Sequence, residues 1–235
     1  MTGASSGIGR ALAEMLTAEG AIVLAVGRNE ERLAAVKAAG SARETLAIDV
    51  EEPGAAQTII ATAVSLLGSV DIVCVNAGVY VQGDIWTTQS FEIRSLITTN
   101  VIAAMDLIRA ATVAMRAQGS GDILVTNSVS GHQSIEWEPL YSGSKHALLA
   151  FAHGVRRQLL GTGVRIASLA PGIVLNELWQ KVAPDRANEE QMDALAEAGE
   201  GLRVSDVAEA ARFILTRPAN ATVRDLVLLP TNQDI

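Results

Sequence analysis

The sequence predicts one α/β domain of the doubly wound type, in which helices cover both faces of a parallel sheet. Short apolar runs alternate with longer amphipathic segments along the chain, and this alternation favours right-handed βαβ units. Of the 235 residues, 49% are hydrophobic and 19% are charged, which is the composition of a folded domain. No repeat, low-complexity tract or Pro/Ser-rich linker divides the chain. We therefore expect a single domain over residues 1–235.

The predicted strands are nearly continuous apolar runs, as expected for strands that are buried on both faces. They cover residues 21–26, 72–75, 123–126, 164–169 and 226–229. The helix-length segments between them end at the glycine stop signals Gly40, Gly68 and Gly119. Open sheets of this kind bind ligands at the carboxyl ends of their strands.

The first segment of the chain departs from this pattern. Residues 2–9 read TGASSGIG, and a glycine loop of this kind follows a buried strand, yet only Met1 precedes it. Without that strand, two neighbouring strands keep unpaired backbone groups in the interior, at about 1–3 kcal/mol for each group. We therefore expect residues upstream of Met1 that supply the first strand.

Composition and charge argue against several classes of protein. The formal net charge of −8 is unfavourable for a nucleic-acid surface, which needs clustered Lys and Arg. The single cysteine, Cys74, excludes an internal disulfide framework, and three scattered histidines predict no metal site. No apolar run approaches about 18 residues, and no signal-peptide pattern opens the chain. We expect a soluble, cytoplasmic protein with no membrane or nucleic-acid partner.

The glycine loop predicts a phosphate site. Gly3, Gly7 and Gly9 are followed by a helical stretch that ends at Gly20. Glycines at this spacing let the backbone approach a pyrophosphate, while the helix N-terminus supplies N–H donors and the positive end of its dipole. The alternative is a tight turn with close helix–strand packing, and the glycine pattern alone does not decide between them.

Further signals follow in a consistent order. Asp49–Val50 comes after a short strand, where a carboxylate can accept a hydrogen bond from an adenine amino group; the alternative is an Asp at a helix N-terminus. Asn76–Ala77–Gly78 lies at the carboxyl end of the 72–75 run, where the alternative is a helix-starting turn. The set is completed by Asn100, Ser128, Tyr141, Lys145 and Pro171–Gly172.

Together, TGxxxGxG, NAG, Ser-x12-Tyr-x3-Lys and PG resemble the short-chain dehydrogenase/reductase family over essentially the whole chain. The resemblance implies an NAD(P)-dependent enzyme that acts on CH–OH groups, with Asn100, Ser128, Tyr141 and Lys145 as its catalytic set. The cofactor contacts that it implies are Gly3, Ser5, Ser6, Gly7, Ile8, Gly9, Arg28, Asp49, Val50, Asn76, Ala77, Gly78, Tyr141, Lys145, Pro171, Gly172, Val174 and Asn176.

Tyr141 and Lys145 are four residues apart and share one face of a predicted helix over 141–160. A tyrosine at its ordinary pKa of about 10 is a poor base at neutral pH. We expect the neighbouring ammonium and a positive nicotinamide ring to lower the pKa of Tyr141, so that it exchanges a proton with the substrate oxygen. Lys145 would also hold the ribose hydroxyls. The alternative for an isolated Tyr-x3-Lys is a surface pair.

The resemblance assigns the remaining roles. Ser128 orients the substrate oxygen, and its spacing of thirteen residues from Tyr141 selects it over Ser130. Asn100 opens its helix slightly and holds a water that links Lys145 to solvent; the alternative is a merely satisfied Asn.

In the same family, the turn after the run over 164–169 presents backbone groups of Val174 to the nicotinamide carboxamide. Asn176 stands where many members have Thr, so its contact with cofactor phosphate is in doubt. Residues 175–201 have the length and character of a substrate-covering lid, with a surface helix pair as the alternative.

Arg28 indicates the form of the cofactor. The run over 21–26 is the second strand of the family fold when the missing first strand is counted. NAD-dependent family members have an acid at its end that binds the ribose 2′-hydroxyl, whereas Val26–Gly27–Arg28–Asn29 has none. An arginine attracts a 2′-phosphate instead, so NADP is favoured and NAD remains possible. The alternative is a solvated Arg28 or one paired with Glu31.

Two segments narrow the resemblance. Trp137–Glu138–Pro139 and the ending over residues 220–235 resemble ribitol 2-dehydrogenases and related polyol dehydrogenases, although such enzymes place Asp where Gly27 stands. This implies a polyol/ketose substrate pair bound by Ser128, Trp137, Glu138 and Tyr141. Glu138 has an equally weighted alternative as a surface acid.

Other functions stay open. A ketoacyl-carrier-protein reductase shares the catalytic residues but needs basic surface for its acidic carrier, and a general carbonyl reductase shares them too. A dinucleotide-sensing regulator is expected to lose the tyrosine or the lysine. Apolar faces of the helices over 90–119 and 141–160 predict burial against other subunits, and the family resemblance implies a homotetramer built on them and the C-terminal strand.

Overall fold

The computed structural model describes residues 1–183, 185 and 188–235. Strands in this part of the chain all run parallel and form two sheets. In the smaller sheet, β1 (Leu24–Gly27) pairs with β2 (Glu44–Ala47). The larger sheet has the order β3 (Ile72–Val75), β4 (Gly121–Thr126), β5 (Val164–Pro171) and β6 (Asp225–Leu228). The predicted parallel α/β architecture is confirmed.

Helices connect the strands on both sides of the sheets. They are α1 (Gly7–Ala18), α2 (Glu30–Ala38), α3 (Ala55–Leu67), α4 (Ser90–Ile97), α5 (Ala104–Gln118), α6 (Pro139–Gln158), α7 (Glu177–Val182), α8 (Glu189–Glu197) and α9 (Val204–Leu215). A π-helical segment, Thr98–Ala103, joins α4 to α5, and a 3₁₀ turn, Val129–Gly131, follows β4. The predicted stop at Gly119 is a C-cap with φ of +81°, which favours glycine.

The central strands are buried on both faces because their apolar side chains alternate between two core clusters. Val73, Val75 and Val125 pack with α3, α5 and α6 on one face. Cys74 and Leu124 pack with α1, α2 and α9 on the other. The continuous apolar runs of the sequence therefore reflect two half-cores with the sheet between them.

Residues 1–4 lie between β1 and β3. The Val26 N–H donates to the Met1 carbonyl (2.9 Å), and the Ala4 N–H donates to the Val26 carbonyl (3.1 Å). On the other side, the Thr2 N–H donates to the Cys74 carbonyl (3.1 Å). Beside this segment is a cavity of about 350 Å³ lined largely by apolar side chains of α1, β1, α3 and β3. The glycine loop thus leaves the sheet between β1 and β3.

Strand and helix bounds differ from the predicted ones only at their ends. β3 matches its prediction, whereas β1 begins three residues later and β5 extends to Pro171. The proposed lid over 175–201 contains α7 and α8 in its described part, while residues 184, 186 and 187 lie outside the described residues. The carboxyl ends of β1, β3, β4 and β5 all face the same edge, as parallel strands require.

One helical run is unusually apolar on its exposed side. Residues Ser90–Gln118 form 29 continuous helical residues that are long and apolar enough to cross a membrane by length and composition, although the sequence led us to expect no span. In its most apolar window, 44% of the residues are buried in the domain. A core helix that packs on a sheet can have the same length and apolar composition. These two properties alone therefore do not identify a membrane segment.

Candidate active site

The glycine loop is too tight to hold side chains. Gly3 and Gly7 have φ of +65° and +50°, which L residues rarely adopt. A Cβ on Gly9 would lie 2.2 Å from the Gly3 carbonyl oxygen. Ser6 is the N-cap of α1, and its side chain makes no capping bond. The first N–H groups of α1 therefore face the edge of the sheet where an anion is best bound.

The other two predicted residues of this loop, Ile8 and Ser5, contact the core and the end of β1. Ile8 packs against the core cluster of α1, α2 and α9. Ser5 reaches the end of β1, because a Cβ placed on Gly27 would lie 3.3 Å from the Ser5 Oγ. The glycine loop and the end of β1 therefore form one continuous surface.

Two predicted cofactor residues meet beyond β1 and β2. Arg28 Nη1 lies 3.5 Å from Asp49 Oδ2, and the Arg28 side chain is 66% exposed. Asp49 also accepts a hydrogen bond from the Glu51 N–H (3.0 Å), and Val50 packs against the core. Arg28 is therefore near Asp49 rather than Glu31, its predicted alternative partner, and its exposed guanidinium borders the site.

The NAG turn after β3 is tied to the glycine loop by Thr2. Its Oγ1 accepts hydrogen bonds from the N–H groups of Asn76 (3.0 Å) and Ala77 (3.2 Å). The Asn76 Nδ2 donates to the Thr2 carbonyl (3.2 Å). Gly78 passes close to Asn100, whose Oδ1 would lie 3.3 Å from a Cβ at position 78. The structure therefore places the predicted residues Asn76, Ala77 and Gly78 between the glycine loop and Asn100.

Asn100 lies in the π-helical segment and is 2% exposed. Its Oδ1 accepts from the Val79 N–H (2.8 Å), and its Nδ2 donates to the Val79 carbonyl (2.9 Å). Its helix is opened, as expected, and a π bulge commonly marks a functional position. The contacts of Asn100 hold the loop after β3, with a longer contact from Nδ2 to Ser144 Oγ (3.4 Å).

Tyr141, Lys145 and Ser128 meet beneath this loop. Lys145 Nζ is 5.4 Å from the centre of the Tyr141 ring and donates to the Thr126 carbonyl (3.1 Å). The Ser128 hydroxyl lies close enough to the Tyr141 phenol to lower its pKa. Ser128 and Lys145 are buried, whereas Tyr141 is partly exposed. The structure therefore places a phenol, a hydroxyl and an ammonium within reach of one small substrate.

The electrostatics correct one expectation. Burial raises the pKa of Tyr141, the Glu138 charge raises it further, and only the nearby Ser128 hydroxyl lowers it. Without a bound nicotinamide the pKa of Tyr141 is therefore raised and not lowered, because desolvation of the phenolate is the largest effect on it. Burial also lowers the pKa of Lys145 from 10.5 to about 8.

Glu138 is 5% exposed, so its reading as a surface acid is wrong. Its Oε2 accepts from the Tyr80 hydroxyl (2.6 Å), and its Oε1 accepts from the Ser130 hydroxyl. The predicted direct contact with substrate hydroxyls is less favoured, since each carboxylate oxygen already has a protein donor. Trp137 is 60% exposed and lies near the Tyr80 hydroxyl, whose pKa it lowers.

Sequence reasoning missed Tyr80. Its ring packs edge-on against Tyr141, with ring centres 4.9 Å apart and an angle of 65° between the planes. The chain has only two tyrosines, and Tyr80 follows the NAG turn by two residues, which was the available signal. Ser130, weighed earlier as a competitor, donates to Glu138 and accepts from Ser128 instead of replacing it.

The turn after β5 reaches back over the glycine loop. The Gly172 N–H donates to the Leu228 carbonyl (2.8 Å) directly after Pro171. Val174 forms a parallel bridge with Leu202, and this geometry directs the Val174 N–H and C=O away from that partner. The neighbouring Ile173 carbonyl and Leu175 N–H make the hydrogen bonds with Leu202, so those of Val174 are not used in this bridge.

Asn176 caps α7, with its Oδ1 accepting from the N–H groups of Leu178 (2.9 Å) and Trp179 (3.2 Å). A Cβ on Gly7 would lie 3.4 Å from Asn176 Nδ2 and 3.3 Å from Glu177 Oε2. The segment over 175–201 therefore begins next to the first residue of α1.

Comparison with known proteins agrees with this arrangement. The family model described as short chain dehydrogenase matches residues 1–187. The ketoacyl reductase HetN of Nostoc sp. is 35% identical over 178 residues, which are 74% of this chain and 62% of that protein. An uncharacterized oxidoreductase of Staphylococcus aureus strain MW2 is 30% identical over 232 residues, covering 98% of this chain and 95% of the relative.

Two solved structures extend the comparison. Serine dehydrogenase from Escherichia coli superposes with a TM-score of 0.84 at 24% identity, over 100% of this chain and 98% of that one, which supports the fold. A putative NAD(P)-dependent gluconate 5-dehydrogenase from Beutenbergia cavernae, crystallised with NADP, has a TM-score of 0.83 at 28% identity, over 96% and 92% of the two chains. The chain belongs to the short-chain dehydrogenase/reductase family of NAD(P)-dependent oxidoreductases.

Proposed function

We propose that this protein transfers a hydride between NADP and a secondary alcohol or ketone, and that the substrate is a polyol/ketose pair. The observation that carries the proposal is the meeting of Tyr141, Lys145 and Ser128 at the carboxyl edge of the sheet. Family membership supports the reaction class. The substrate and the individual residue roles are inferred from the chemistry of the site.

The chain fits a dinucleotide cofactor. The glycine cradle excludes side chains, and the α1 N-terminus faces it, so a pyrophosphate can approach the backbone. The exposed guanidinium of Arg28 is suited to a 2′-phosphate. NADP is bound at low occupancy in the structure of the putative NAD(P)-dependent gluconate 5-dehydrogenase, at 28% identity, which supports NADP as a cofactor.

A bound nicotinamide supplies the hydride acceptor or donor. Tyr141 Oη takes the hydroxyl proton of an alcohol, or gives a proton to a carbonyl oxygen in the reverse direction. Ser128 Oγ, whose proton goes to Ser130, is left to accept a hydrogen bond from Tyr141 or from a substrate hydroxyl. Lys145, in its charged form, opposes the cost of negative charge on Tyr141.

Substrate hydroxyls are suited to this pocket because polar side chains surround Tyr141. Ser128, Ser130 and Tyr80 supply hydroxyl groups, and Trp137 provides an exposed aromatic surface beside them. The similarity to a gluconate 5-dehydrogenase supports a hydroxylated substrate. The segment over 175–201 is proposed as the lid that closes over it.

A second candidate is reduction of a ketoacyl thioester, which the 35% identity with the ketoacyl reductase HetN favours. The net charge of −8 opposes it, because an acidic carrier protein needs a basic docking surface. We rank the polyol/ketose pair first.

We also propose that the protein is a homotetramer built on the helices over 90–119 and 141–160 and on the C-terminal strand. Phe91, Ile102 and Val113 are each more than half exposed on the first helical run. Leu160 at the end of the second and Val227 on β6 are exposed too. Large apolar side chains on one surface favour burial against another subunit.

Substrate choice is tested with pentitols, hexitols, ketoses, their deoxy analogues and acetoacetyl thioester, each with NADP(H) and NAD(H). We expect a polyol/ketose pair to react best and its deoxy analogue to lose more than the ~1–3 kcal/mol of a misplaced methylene, because polar groups are left unpaired. Tyr141→Phe should abolish turnover and leave NADP affinity, measured by fluorescence titration, nearly unchanged. A thioester turned over fastest, or one tenth of the wild-type rate retained by the variant, contradicts the proposal.

Cofactor preference should depend on the end of β1. We expect NADP to bind more tightly than NAD, and Gly27→Asp to shift the preference toward NAD by repelling the 2′-phosphate and accepting from the 2′-hydroxyl. The new Cβ lies 3.3 Å from Ser5 Oγ and 3.6 Å from both Ser5 Cβ and Leu33 Cδ2, distances that a small shift of the Ser5 side chain relieves, so the variant should fold. Gly27→Ala is the uncharged control. Equal or tighter NAD binding by the wild type refutes the role given to Arg28.

Lys145 should reduce stability near neutral pH. Its folded-state pKa of about 8 lies below the ordinary 10.5, so between these values the unfolded chain binds more protons and stability rises with pH. Lys145→Met removes this dependence and should stabilise the protein at pH 7 by about 1–3 kcal/mol, while lowering activity. Urea unfolding of both proteins across this pH range measures it. Cys74 and other groups titrate in both proteins, so the difference between their free energies of unfolding reports on Lys145. If this difference does not change with pH, the assignment is contradicted.

Oligomeric state should depend on the exposed apolar helix face. Light scattering should give a tetramer at micromolar concentration, and Val113→Glu should shift it toward smaller species because a charge is buried in the interface. Val64→Glu, which changes an exposed residue of α3, is the control. A stable wild-type monomer at this concentration rules out the tetramer.

A further inference from the structure

A buried carboxylate lies beside the proposed proton-transfer group, and the fold does not account for it. Glu138 occupies the N-cap position of α6, yet its side chain makes no capping hydrogen bond. It is 5% exposed, and burying a carboxylate costs several kcal/mol unless donors compensate it. Both donors, Tyr80 and Ser130, belong to the surroundings of Tyr141. The carboxylate is therefore directed at the site and away from the helix that it begins.

A hydrogen-bond chain connects Glu138 to Ser128. The Ser128 hydroxyl donates to Ser130 Oγ (3.0 Å), and the Ser130 hydroxyl donates to Glu138 Oε1. A carboxylate only accepts hydrogen bonds, so it fixes the direction of both hydroxyl protons. Ser128 Oγ also accepts from the Ser130 N–H (3.2 Å). One lone pair of Ser128 is thus left for Tyr141 or the substrate.

A second connection runs through Tyr80. Its hydroxyl donates to Glu138 Oε2 (2.6 Å), and its ring packs edge-on against Tyr141 at 4.9 Å. Holding the Tyr80 hydroxyl therefore fixes one wall against which the Tyr141 ring packs. The two oxygens of the Glu138 carboxylate therefore hold Tyr80 on one side of Tyr141 and the Ser130–Ser128 pair on the other.

We infer, resting on the proposed function, that Glu138 is a positioning residue that orients the Ser128 hydroxyl through Ser130 and the Tyr141 ring through Tyr80. This differs from a contact with substrate, because its two oxygens are turned to protein hydroxyls. The position immediately before α6 suits the role, since Tyr141 lies in the first turn of that helix.

The charge of Glu138 acts on Tyr141 as well. The titratable groups facing Tyr141 are Glu138 before α6, Lys145 one turn further along α6, and Tyr80 from the loop after β3. After burial, the negative charge of Glu138 is the next cause of the raised pKa of Tyr141. Neutralising Glu138 should therefore lower that pKa, which a purely structural anchor would not do.

The test combines a titration with kinetics. Tyrosine labelled with ¹³C at the ring carbon that bears oxygen gives two signals, because the chain has two tyrosines, and Tyr80→Phe identifies that of Tyr141. With and without NADP⁺, Glu138→Gln should move the Tyr141 titration to lower pH, whereas Glu138→Asp, which keeps the charge, should stay near the wild type. Glu136→Gln is the matched control, an exposed acid two residues earlier.

Kinetics report the positioning itself. Glu138→Gln, Glu138→Asp and Ser130→Ala should each lower kcat/KM by about 10–100-fold, as expected for misoriented groups, and Glu136→Gln should not. Ser130→Ala retains the bond between Glu138 and Tyr80, so it tests the proposal even if the Glu138 variants fail to fold. An unchanged Tyr141 titration in Glu138→Gln, or full activity of Ser130→Ala, overturns the inference. The titration needs no substrate, so it tests the role of Glu138 even if the polyol/ketose assignment proves wrong.

Discussion

The placement of Thr2 between β1 and β3 is the constraint on which the site depends. Its main chain joins the two sheets, and its hydroxyl receives the N–H groups of Asn76 and Ala77. This brings the glycine loop against the NAG turn, and Asn76 in turn packs on Gly9 so closely that a Cβ there would lie 2.6 Å from Asn76 Nδ2. Parallel strands then bring the ends of β4 and β5 to the same edge.

At that edge, burial disfavours the charged forms of the side chains that the proposed chemistry uses. Burial lowers the pKa of Lys145 and raises that of Tyr141, so the isolated protein disfavours the ionised form of each. The buried Lys145 ammonium reduces stability at neutral pH, whereas the raised pKa keeps the Tyr141 phenol neutral, and perturbed groups of this kind are typical of functional sites. Glu138 belongs with them, because its carboxylate is buried yet fully engaged by hydroxyl donors. The chemistry of the pocket thus depends on groups that the fold must hold against their preference for water.

Family membership and substrate choice have different physical bases. The glycine cradle and the Tyr141–Lys145 pair are set by backbone geometry and helix periodicity, which related dehydrogenases share. The surroundings of Tyr141, to which we assign substrate choice in the proposed function, are instead built from different loops, with Tyr80 against the Tyr141 ring and an exposed Trp137. For that reason the similarity to a ketoacyl reductase and to a gluconate dehydrogenase is compatible with one catalytic arrangement and two substrate classes.

The sequence by itself determined the order of strands and helices, because apolar runs and glycine stops are local signals, and β3 was predicted to the residue. It also indicated Tyr141 and Lys145, since an i, i+4 spacing fixes one helix face. Only the tertiary structure decided the environment of these groups. The contact of Tyr80 with Tyr141, the burial of Glu138 and the raised pKa of Tyr141 arise between segments as much as 61 residues apart in sequence (141 − 80). Desolvation and the direction of hydrogen bonds depend on such neighbours, and no local pattern in the chain encodes them.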